Sequence, residues 1–455
     1  MVKVNGKLGR FLEVESKPEV VDEVISNLML DNPAYANAKK LGYSTYNIPP
    51  KLKLYSPIEG GYCLPRAYVP RTFGVDIVED SRVLAPMQIP FKGTLRPYQK
   101  DPVERMLLAG DGVLVAPTGS GKTVMGLKIA SGLGHKTMVL VHKKILLDQW
   151  VDRVQEFCGI QAGIVGDGKV QNTDSPIVIG MVQTLVKSGY EKHKKFFDSF
   201  GLVIGDECHR HGAAMWQRAI NLFPAYYRIG LSATPYRTDG LDDIIFWNFG
   251  PIKHDSKPRL KAKVIQKEIA EGGEPQELKY LDVLKDFVYN SERNGVIIND
   301  AVSAVSKGRF VLILTRYVDH VELLYTGLKM RLPGRVARLY GAVQEPIMPK
   351  TKVIIGTFAY LKEGVDIPEL DSLIYALPVV SEVDLAQSAG RILRSHPDKH
   401  SPLIMDYVDT CLKNTASKRA VAFTKLGFSV EKRPLRHSRV ELHPHWLAVK
   451  RRTGQ

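Results

Sequence analysis

The sequence predicts an α/β protein with two tandem parallel-sheet domains, a small domain before them and a basic extension after them. Two observations predict this class. Short apolar runs alternate with longer helical stretches between residues 112 and 206, and a second such series follows from 310 to 377. Because this alternation is typical of strand–helix–strand units, each series indicates its own parallel sheet. We expect domains at residues 1–90, 91–255, 256–410 and 411–455.

In each series, the short apolar runs predict strands and the longer segments between them predict helices. The first series is, in chain order, GVLVA, KTVMGLKIASGL, TMVLV, ILLDQWVDRVQEF, PIVIG and GLVIGDE. The second is FVLILT, VDHVELLYTGLKMRL, KVIIGTF and SLIYAL. The glycine, proline and charge clusters of residues 250–280 predict a linker between the two domains.

Residues 1–90 lack this rhythm, and seven prolines between residues 49 and 90 divide them into short pieces, which indicates a separate small domain. Six tyrosines alternate with lysines and arginines in its central part: Tyr35, Tyr43, Tyr46, Tyr55, Tyr62 and Tyr68. Their rings could stack on bases while the cations hold phosphates. They could equally fill a small core, and the sequence leaves both interpretations open.

Composition and charge restrict the class of protein. The 455 residues are 44% apolar and 24% charged, which is typical of a soluble globular protein. The net charge of +15 favours a polyanionic partner such as nucleic acid, and residues 411–455 hold 11 Lys or Arg against two acids. The four cysteines form no Cys-x-x-Cys pair, which argues against a zinc or disulfide framework. Without a signal peptide or a membrane-length apolar run, we expect a cytoplasmic protein.

A glycine-rich segment between a predicted strand and a predicted helix, APTGSGKT at residues 116–123, predicts a phosphate-binding loop. Ala116 stands where the strict pattern has glycine. Backbone N–H groups of such a loop cradle phosphate oxygens, Lys122 would reach the β- and γ-phosphates, and the Thr123 hydroxyl would bind Mg²⁺. The predicted nucleotide-binding residues of the loop are Thr118, Gly119, Ser120, Gly121, Lys122 and Thr123.

Two acidic residues end the last strand of the first series, in the segment LVIGDECH. We expect Asp206 to hold Mg²⁺ through water and Glu207 to polarise the water that attacks the γ-phosphate. The second domain offers positive charge in QSAGRILR, where Arg391 and Arg394 are three residues apart and are expected on one helix face. They would stabilise the transition state of hydrolysis when the domains close.

Taken in order, these segments resemble the motifs of superfamily 2 helicases. The resemblance covers about residues 94–396 through TLRPYQ, LVHKKILLDQW, GIVGDGK, GMVQTL, DECH, GLSATPYRTDG, GTFAYLKEGVDIP and QSAGRILR. LRPYQ, GIVGDGK and SATPYRTDG are most similar to the XPB branch and to phage UvsW-like DNA helicases. This resemblance implies two RecA-like domains, a phage-encoded enzyme and the host cytoplasm as its location.

The resemblance also implies roles for individual residues. It implies that Gln99, with Arg96 nearby, reads adenine, and that Gly364 and Asp366 meet the nucleotide from the second domain. Ser232 and Thr234 are implied to couple hydrolysis to strand movement. His209 and Gln387 are implied to communicate between the DECH segment and the second domain, and Gln387 is expected in the catalytic set with Glu207, Arg391 and Arg394. Residues implied to contact the DNA strand are Lys143, Gln183, Thr184 and Thr357. The stretch NPAYANAKKLGYSTYNIPPKLKLY is similar to N-terminal segments of this branch, which favours substrate recognition by residues 1–90.

The resulting hypothesis is an ATP- and Mg²⁺-dependent DNA helicase, moving 3′ to 5′, that unwinds or branch-migrates forked or branched DNA in replication, recombination or repair. We expect a monomer whose further partners are replication or recombination proteins. The alternatives are a duplex DNA translocase that does not separate strands and a nucleotide-gated nucleic-acid clamp without useful turnover. An RNA substrate also stays open.

Overall fold

The computed structural model describes residues 2–117, 119–208, 213–233, 240–256, 261–269, 280–341, 343–358, 360, 367–394, 396 and 398–434. The chain divides into two compact units, of which one comprises residues 1–116 and 120–256 and the other includes residues 257–455. No helix within the described residues has the length and apolar character that crossing a membrane requires.

The first unit begins with a five-stranded sheet, in the order β5-β6-β2-β1-β7, and a two-stranded sheet formed by β3 and β4. The strands are β1 Val2–Leu8, β2 Leu12–Glu15, β3 Met29–Asp31, β4 Lys51–Lys53, β5 Ser56–Ile58, β6 Gly61–Leu64 and β7 Phe73–Asp80. Two helices lie between them along the chain: α1 Pro18–Asn27 and α2 Pro33–Lys40. Each helix starts on a proline, whose fixed φ suits a first turn.

This N-terminal part packs directly against the rest of its unit. Its apolar core includes Leu241 and Ile244 from a later segment. The Arg66 guanidinium is buried and donates to the carbonyl oxygens of Ala225 and Tyr226. Because a buried cation needs its hydrogen bonds satisfied, Arg66 fixes the two parts together.

An eight-stranded sheet forms the rest of the first unit, in the order β11-β10-β12-β9-β13-β14-β8-β15. Its strands are β8 Gly112–Val115, β9 Thr137–Val141, β10 Gly163–Gly166, β11 Lys169–Gln171, β12 Ile177–Met181, β13 Leu202–Asp206, β14 Tyr227–Ser232 and β15 Ile252–Asp255. The helices are α3 Pro97–Ala109, α4 Lys122–Leu133, α5 Lys144–Cys158, α6 Val182–Ser188, α7 Lys194–Phe197, α8 Ala213–Ile220 and α9 Asp243–Phe249. All neighbouring strands pair in parallel except β10 and β11. Both faces of the sheet are covered by buried apolar side chains, as a parallel sheet requires.

The second unit contains another eight-stranded sheet, in the order β19-β18-β20-β17-β21-β22-β16-β23. Its strands are β16 Lys263–Ile269, β17 Val311–Thr315, β18 Val336–Tyr340, β19 Val343–Gln344, β20 Val353–Thr357, β21 Ser372–Tyr375, β22 Leu403–Asp409 and β23 Ser429–Arg433. The helices are α10 Tyr280–Tyr289, α11 Ser291–Ser306, α12 Val318–Arg331, α13 Glu382–Ile392 and α14 Lys413–Lys425.

The two large sheets have the same topology. Numbered from the first strand of each, both follow the spatial order 4-3-5-2-6-7-1-8, with one antiparallel pair at the edge. Strands β8 and β16 therefore hold equivalent places, as do β9 and β17 or β12 and β20. This duplication confirms the prediction of two tandem RecA-like domains.

The end of the second domain differs from the predicted boundary at residue 410. Strand β23 pairs in parallel with β16, and Phe423 and Phe428 are buried in the core of this unit. Buried Arg419 donates from Nε to Asp406 Oδ1 at 2.9 Å. The second domain therefore extends to at least Arg433, and most of the remaining basic tail lies outside the described residues.

Candidate ATP site and strand-contacting edge

The predicted phosphate loop joins β8 to α4, at the carboxyl edge of the first large sheet. Gly121 adopts φ +83, a left-handed conformation that favours glycine, and a Cβ there would lie 2.4 Å from Gln99 Nε2. The Lys122 side chain is buried, and its Nζ donates to Ala116 O at 3.2 Å. The loop thus places a buried cation at the start of a helix, where backbone N–H groups and the helix dipole favour an anion. Thr118 lies outside the described residues.

Gln99 braces this loop from helix α3. Its Nε2 donates to Ser120 O at 2.8 Å, and its Oε1 accepts from the Arg96 backbone N–H at 2.9 Å. Gln99 is buried, whereas Arg96 is exposed at the start of the helix. One proton of the Gln99 amide is committed to the loop, and the second is left for another acceptor.

The predicted acidic pair lies at the end of β13, two strands away from β8 in the same sheet. Glu207 Oε1 is 3.7 Å from Lys122 Nζ, so the structure brings the phosphate loop and the acidic pair together. Glu207 has φ +51, an uncommon conformation for a residue with a side chain. Such backbone conformations are concentrated at functional sites.

Asp206 is held by Trp150, a residue outside the motifs that predict the ATP site. Trp150 Nε1, in helix α5, donates to Asp206 Oδ2 at 2.8 Å, and both side chains are buried. Burial, together with the adjacent Glu207 carboxylate, raises the pKa of Asp206 to about 6, and the Trp150 hydrogen bond and Lys122 oppose that rise. The only sequence signal for Trp150 is a large polar-tipped aromatic residue on the apolar face of its helix.

This donor set suits a hard divalent cation. The carboxyl groups of Asp206 and Glu207 are adjacent, and their negative charges disfavour each other. Together with the Thr123 hydroxyl, which follows Lys122 in the chain, they offer the oxygen ligands that Mg²⁺ prefers. Among the described residues no group of three or more His, Cys, Asp or Glu side chains could hold a metal. Such a site therefore needs waters and phosphate oxygens as further ligands, which is the usual manner of Mg²⁺ binding with a nucleotide.

Ser232 ends strand β14, which pairs with β8 so that Ser232 lies opposite Val115. Ala116 N donates to Ser232 O at 2.9 Å, so the predicted coupling segment is bonded directly to the start of the phosphate loop. Its other predicted members, His209 and Thr234, lie outside the described residues, as do Gly364 and Asp366.

The second domain carries the remaining predicted residues of the ATP site. Gln387 and Arg391 lie on helix α13 and are both buried. Arg394 does not share their helix face, because the helix ends at Ile392 with Leu393 as its cap. The expectation that Arg391 and Arg394 lie on one helix face was therefore wrong. The carbonyl of Arg394 instead accepts from Lys399 Nζ at 2.7 Å.

The predicted strand-contacting residues follow neighbouring strands of the large sheets. Lys143 comes after β9 and Gln183 after β12, strands that pair in parallel, and Gln183 Nε2 donates to His142 O at 3.0 Å. Thr184 follows in the same helix and is half-buried. Thr357 ends β20, the strand of the second sheet that is equivalent to β12.

Strands β9 and β17 also hold equivalent places in the two sheets. Arg316, which directly follows β17, therefore corresponds in position to His142 and Lys143, which follow β9. Arg316 is exposed. No pattern in the sequence marks Arg316, because only the shared topology of the two sheets relates it to the position of Lys143.

The fold and this site define a nucleotide-driven motor with two RecA-like domains. Residues 92–237 match the family of type III restriction enzyme res subunits. A protein of Acanthamoeba polyphaga mimivirus, whose name contains the words ATP-dependent RNA helicase, is 28% identical over 97% of this chain and 90% of its own length. The DNA 3′-5′ translocase XPB2 of Sulfurisphaera tokodaii is 32% identical over 48% of this chain and 48% of its own.

The ATP-dependent DNA helicase uvsW of Enterobacteria phage T4 is 24% identical over 69% of this chain and 68% of its own length. Among solved structures, a fragment of an HsdR subunit of a type I restriction enzyme from Vibrio vulnificus is similar in fold, with a TM-score of 0.57 at 19% identity, covering 76% of this chain and 70% of that one. These similarities support the predicted resemblance to superfamily 2 helicases of the XPB and UvsW kind. They also support the predicted enzyme class, an ATPase of the helicase type.

Proposed function

We propose that the protein is a DNA helicase that moves 3′ to 5′ and unwinds or branch-migrates forked or branched DNA. The observation that carries the proposal is the approach of Lys122 to Glu207, since a motor needs a group that activates water beside its phosphate loop. The relatives named as a DNA 3′-5′ translocase and as a DNA helicase support both the polymer and the direction.

In this proposal Lys122 binds the β- and γ-phosphates, and Asp206 and Thr123 hold Mg²⁺, which neutralises phosphate charge when bound. Glu207 accepts the proton of the attacking water. Arg391 and Arg394 stabilise the γ-phosphate as its bond breaks, and hydrolysis reverses the domain closure that ATP favours. Gln99 contacts adenine with the amide proton that the phosphate loop does not use.

The strand is proposed to lie along the polar residues that follow β9, β12 and β20. Lys143, Gln183, Thr184 and Thr357 contact sugar and phosphate, which fixes the strand without reading its sequence. Because equivalent positions of both sheets contribute, each domain contacts the strand separately. A change in domain closure then shifts the contacts of one domain along the strand relative to those of the other.

A duplex translocase that does not separate strands is the second candidate. Two observations favour it: the family model is that of a restriction enzyme subunit, and one relative is named a translocase. A passive clamp is disfavoured because it has no use for Glu207 beside Lys122. RNA is a further candidate substrate, because the name of the mimivirus relative contains the words RNA helicase.

One experiment separates these candidates. ATP turnover is measured for the protein and for Glu207→Gln without nucleic acid and with single-stranded DNA, linear duplex, a fork, a four-way junction and matched RNA. The proposal expects the largest stimulation by fork or junction, with displacement of a labelled strand. Equal stimulation by linear duplex without displacement supports the translocase, and larger stimulation by RNA overturns the choice of DNA. Absence of stimulation by every polymer overturns the motor function itself.

A further inference from the structure

Two tyrosines of the N-terminal part are exposed on a short segment, residues 41–50, which we call the tyrosine loop. Tyr43 is 69% exposed and Tyr46 is 94% exposed. Neighbouring tyrosines are structural: Tyr68 is buried and donates to Glu23 at 2.7 Å, and the rings of Tyr55 and Tyr62 meet edge to face at 5.8 Å. The sequence left core and stacking roles open for all six tyrosines, and exposure assigns Tyr43 and Tyr46 to the second group.

The loop is fixed at both ends, so its exposed rings have a defined position. At its start, Tyr43 N donates to Ala38 O at 2.9 Å. At its end, the buried Asn32 donates twice, from its backbone N to Pro50 O at 3.0 Å and from Nδ2 to Pro49 O at 2.7 Å. A ring presented by an anchored loop loses less conformational entropy on binding than one on a free tail.

The surroundings of the loop are basic. Between Asp31 and Glu59 the chain has four lysines, Lys39, Lys40, Lys51 and Lys53, and no acidic residue. All four are exposed, and Lys51 Nζ forms an ion pair with Asp31 Oδ1 at 2.6 Å. Lys39 and Lys40 form the last turn of α2, immediately before the loop, and the other two lie on β4, immediately after it.

These features favour a nucleic acid strand over a protein as the ligand. Exposed aromatic rings beside lysines provide stacking for bases and countercharge for phosphates. Protein interfaces, by contrast, are depleted in lysine. Duplex DNA keeps its base faces stacked inside the helix, so rings of this kind bind unpaired nucleotides.

The loop is also attached to the domain that holds the phosphate loop. Its subdomain shares one apolar core with Leu241 and Ile244, and Ala67 N donates to Trp247 O at 2.8 Å. Tyr43 and Tyr46 therefore belong to the same compact unit as Lys122 and Glu207.

We propose that the tyrosine loop binds unpaired nucleotides of the nucleic acid substrate, with Tyr43 and Tyr46 stacking on bases and Lys39 and Lys40 contacting the adjacent phosphates. This inference rests on the proposed action on nucleic acid and identifies where an unpaired strand is held outside the two large sheets. A contact of this kind favours substrates that combine a duplex with a single-stranded segment.

The test uses the full-length protein and a fluorescein-labelled oligo(dT) 20-mer, with a blunt duplex of equal length as the matched ligand. The variant Tyr43→Ala/Tyr46→Ala is expected to bind the oligonucleotide at least about tenfold more weakly, since stacking contributes about 1–3 kcal/mol per base. Tyr43→Phe/Tyr46→Phe keeps the rings and should bind like the parent. Thermal melting and ATP turnover without nucleic acid should be unchanged in both variants, because the loop is exposed and lies apart from the phosphate loop in the sequence.

A second pair of changes tests the phosphate contacts. Lys39→Gln/Lys40→Gln should reduce the slope of log affinity against log salt by about 1.4, since each lost phosphate contact to a single strand contributes about 0.7. If the parent binds oligo(dT) and Tyr43→Ala/Tyr46→Ala binds it equally well, this inference is overturned and the proposed function stands. An equal loss on blunt duplex also overturns it. If the parent binds no nucleic acid and none stimulates turnover, the proposed function fails first, and the inference fails with it.

Discussion

Glu207 Oε1 lies 3.7 Å from Lys122 Nζ, and Glu207 reaches this position with a backbone φ of +51. A non-glycine residue in this region of conformational space costs on the order of 1 kcal/mol or more. Asp206 is the last residue of a buried strand, and successive side chains of a strand point to opposite faces of the sheet. The unusual φ of Glu207 ends this alternation, so both carboxylates can contribute to the same site. The local strain thus places the carboxylate beside the cation of the phosphate loop.

Replacing Glu207 by Gln should lower ATP turnover by about 10²–10⁴-fold, because the amide keeps the size of the side chain but cannot accept a proton from water. Nucleotide affinity should persist, since Lys122 and the loop are untouched. Single-turnover hydrolysis and binding of a fluorescent ATP analogue measure the two quantities separately. A variant that hydrolyses ATP at the parent rate would remove Glu207 from the reaction.

Trp150→Phe should raise the Mg²⁺ concentration needed for half-maximal turnover by about 10–100-fold, the usual effect of losing a group that orients a metal ligand. The change removes the N–H that donates to Asp206 Oδ2 and leaves most of the buried ring in place. Saturating Mg²⁺ should restore much of the rate. The measurement is a Mg²⁺ titration of ATP turnover.

Trp216→Phe provides the matched control for this change. Trp216 is buried in the same unit, and its Nε1 has no hydrogen-bond partner among the residues that the structure describes. Both variants lose a few buried atoms, so both should melt at a somewhat lower temperature. Only Trp150→Phe should shift the Mg²⁺ requirement, and a similar shift in both variants would assign the effect to packing.

The sequence predicted those parts of the molecule that local patterns encode. The phosphate loop, the strand ending in Asp206 and the two parallel sheets follow from glycine spacing and from the period of apolar residues. Trp150 was missed because its hydrogen bond joins residues 56 positions apart, which no local pattern records. The end of the second domain was misplaced because residues 411–433 hold six Lys or Arg against one acid, which is typical of a solvated tail, while Phe423 and Phe428 fill the core.

Gln99→Ala should lower turnover of both ATP and GTP by about tenfold, because losing the bond to Ser120 O leaves the phosphate loop less well held. If Gln99 also contacts adenine, the preference for ATP over GTP should fall in the same variant. Rates with both nucleotides give the two effects in one experiment. Equal rates in variant and parent would contradict the bracing role that the geometry indicates.

Arg391→Ala should leave ATP binding intact and reduce turnover by about 10³-fold, the lower end of the range for an arginine that stabilises phosphoryl transfer. Arg391→Lys keeps the charge and the stem and tests whether the planar guanidinium is needed. Because Arg391 is buried, melting curves must accompany both variants. A parent-like rate in Arg391→Ala would show that the residue has no part in hydrolysis.

His320 makes the stability of the second domain depend on pH. Its Nε2 lies 2.9 Å from Asn294 Oδ1, and Asn294 Nδ2 donates to Val288 O, so Oδ1 is an acceptor and Nε2 carries the proton. Its Nδ1 accepts from Thr315 Oγ1 at 2.7 Å. Burial, and then the nearby Arg293 guanidinium, lowers the pKa of His320 to about 3.

The neutral ring is therefore favoured in the folded chain, whereas the unfolded chain binds a proton below about pH 6.5. As the pH is lowered below that value, the contribution of His320 to the free energy of unfolding should decrease by about 1.4 kcal/mol per pH unit. The loss should reach about 2 kcal/mol at pH 5. Denaturant unfolding of the parent and of His320→Gln between pH 7.5 and 5 isolates this contribution, since the other eleven histidines are common to both. The variant should be less stable than the parent at pH 7.5, and the difference should narrow towards pH 5. Parallel pH profiles would mean that His320 titrates alike in the folded and unfolded chains, against the burial that the structure gives it.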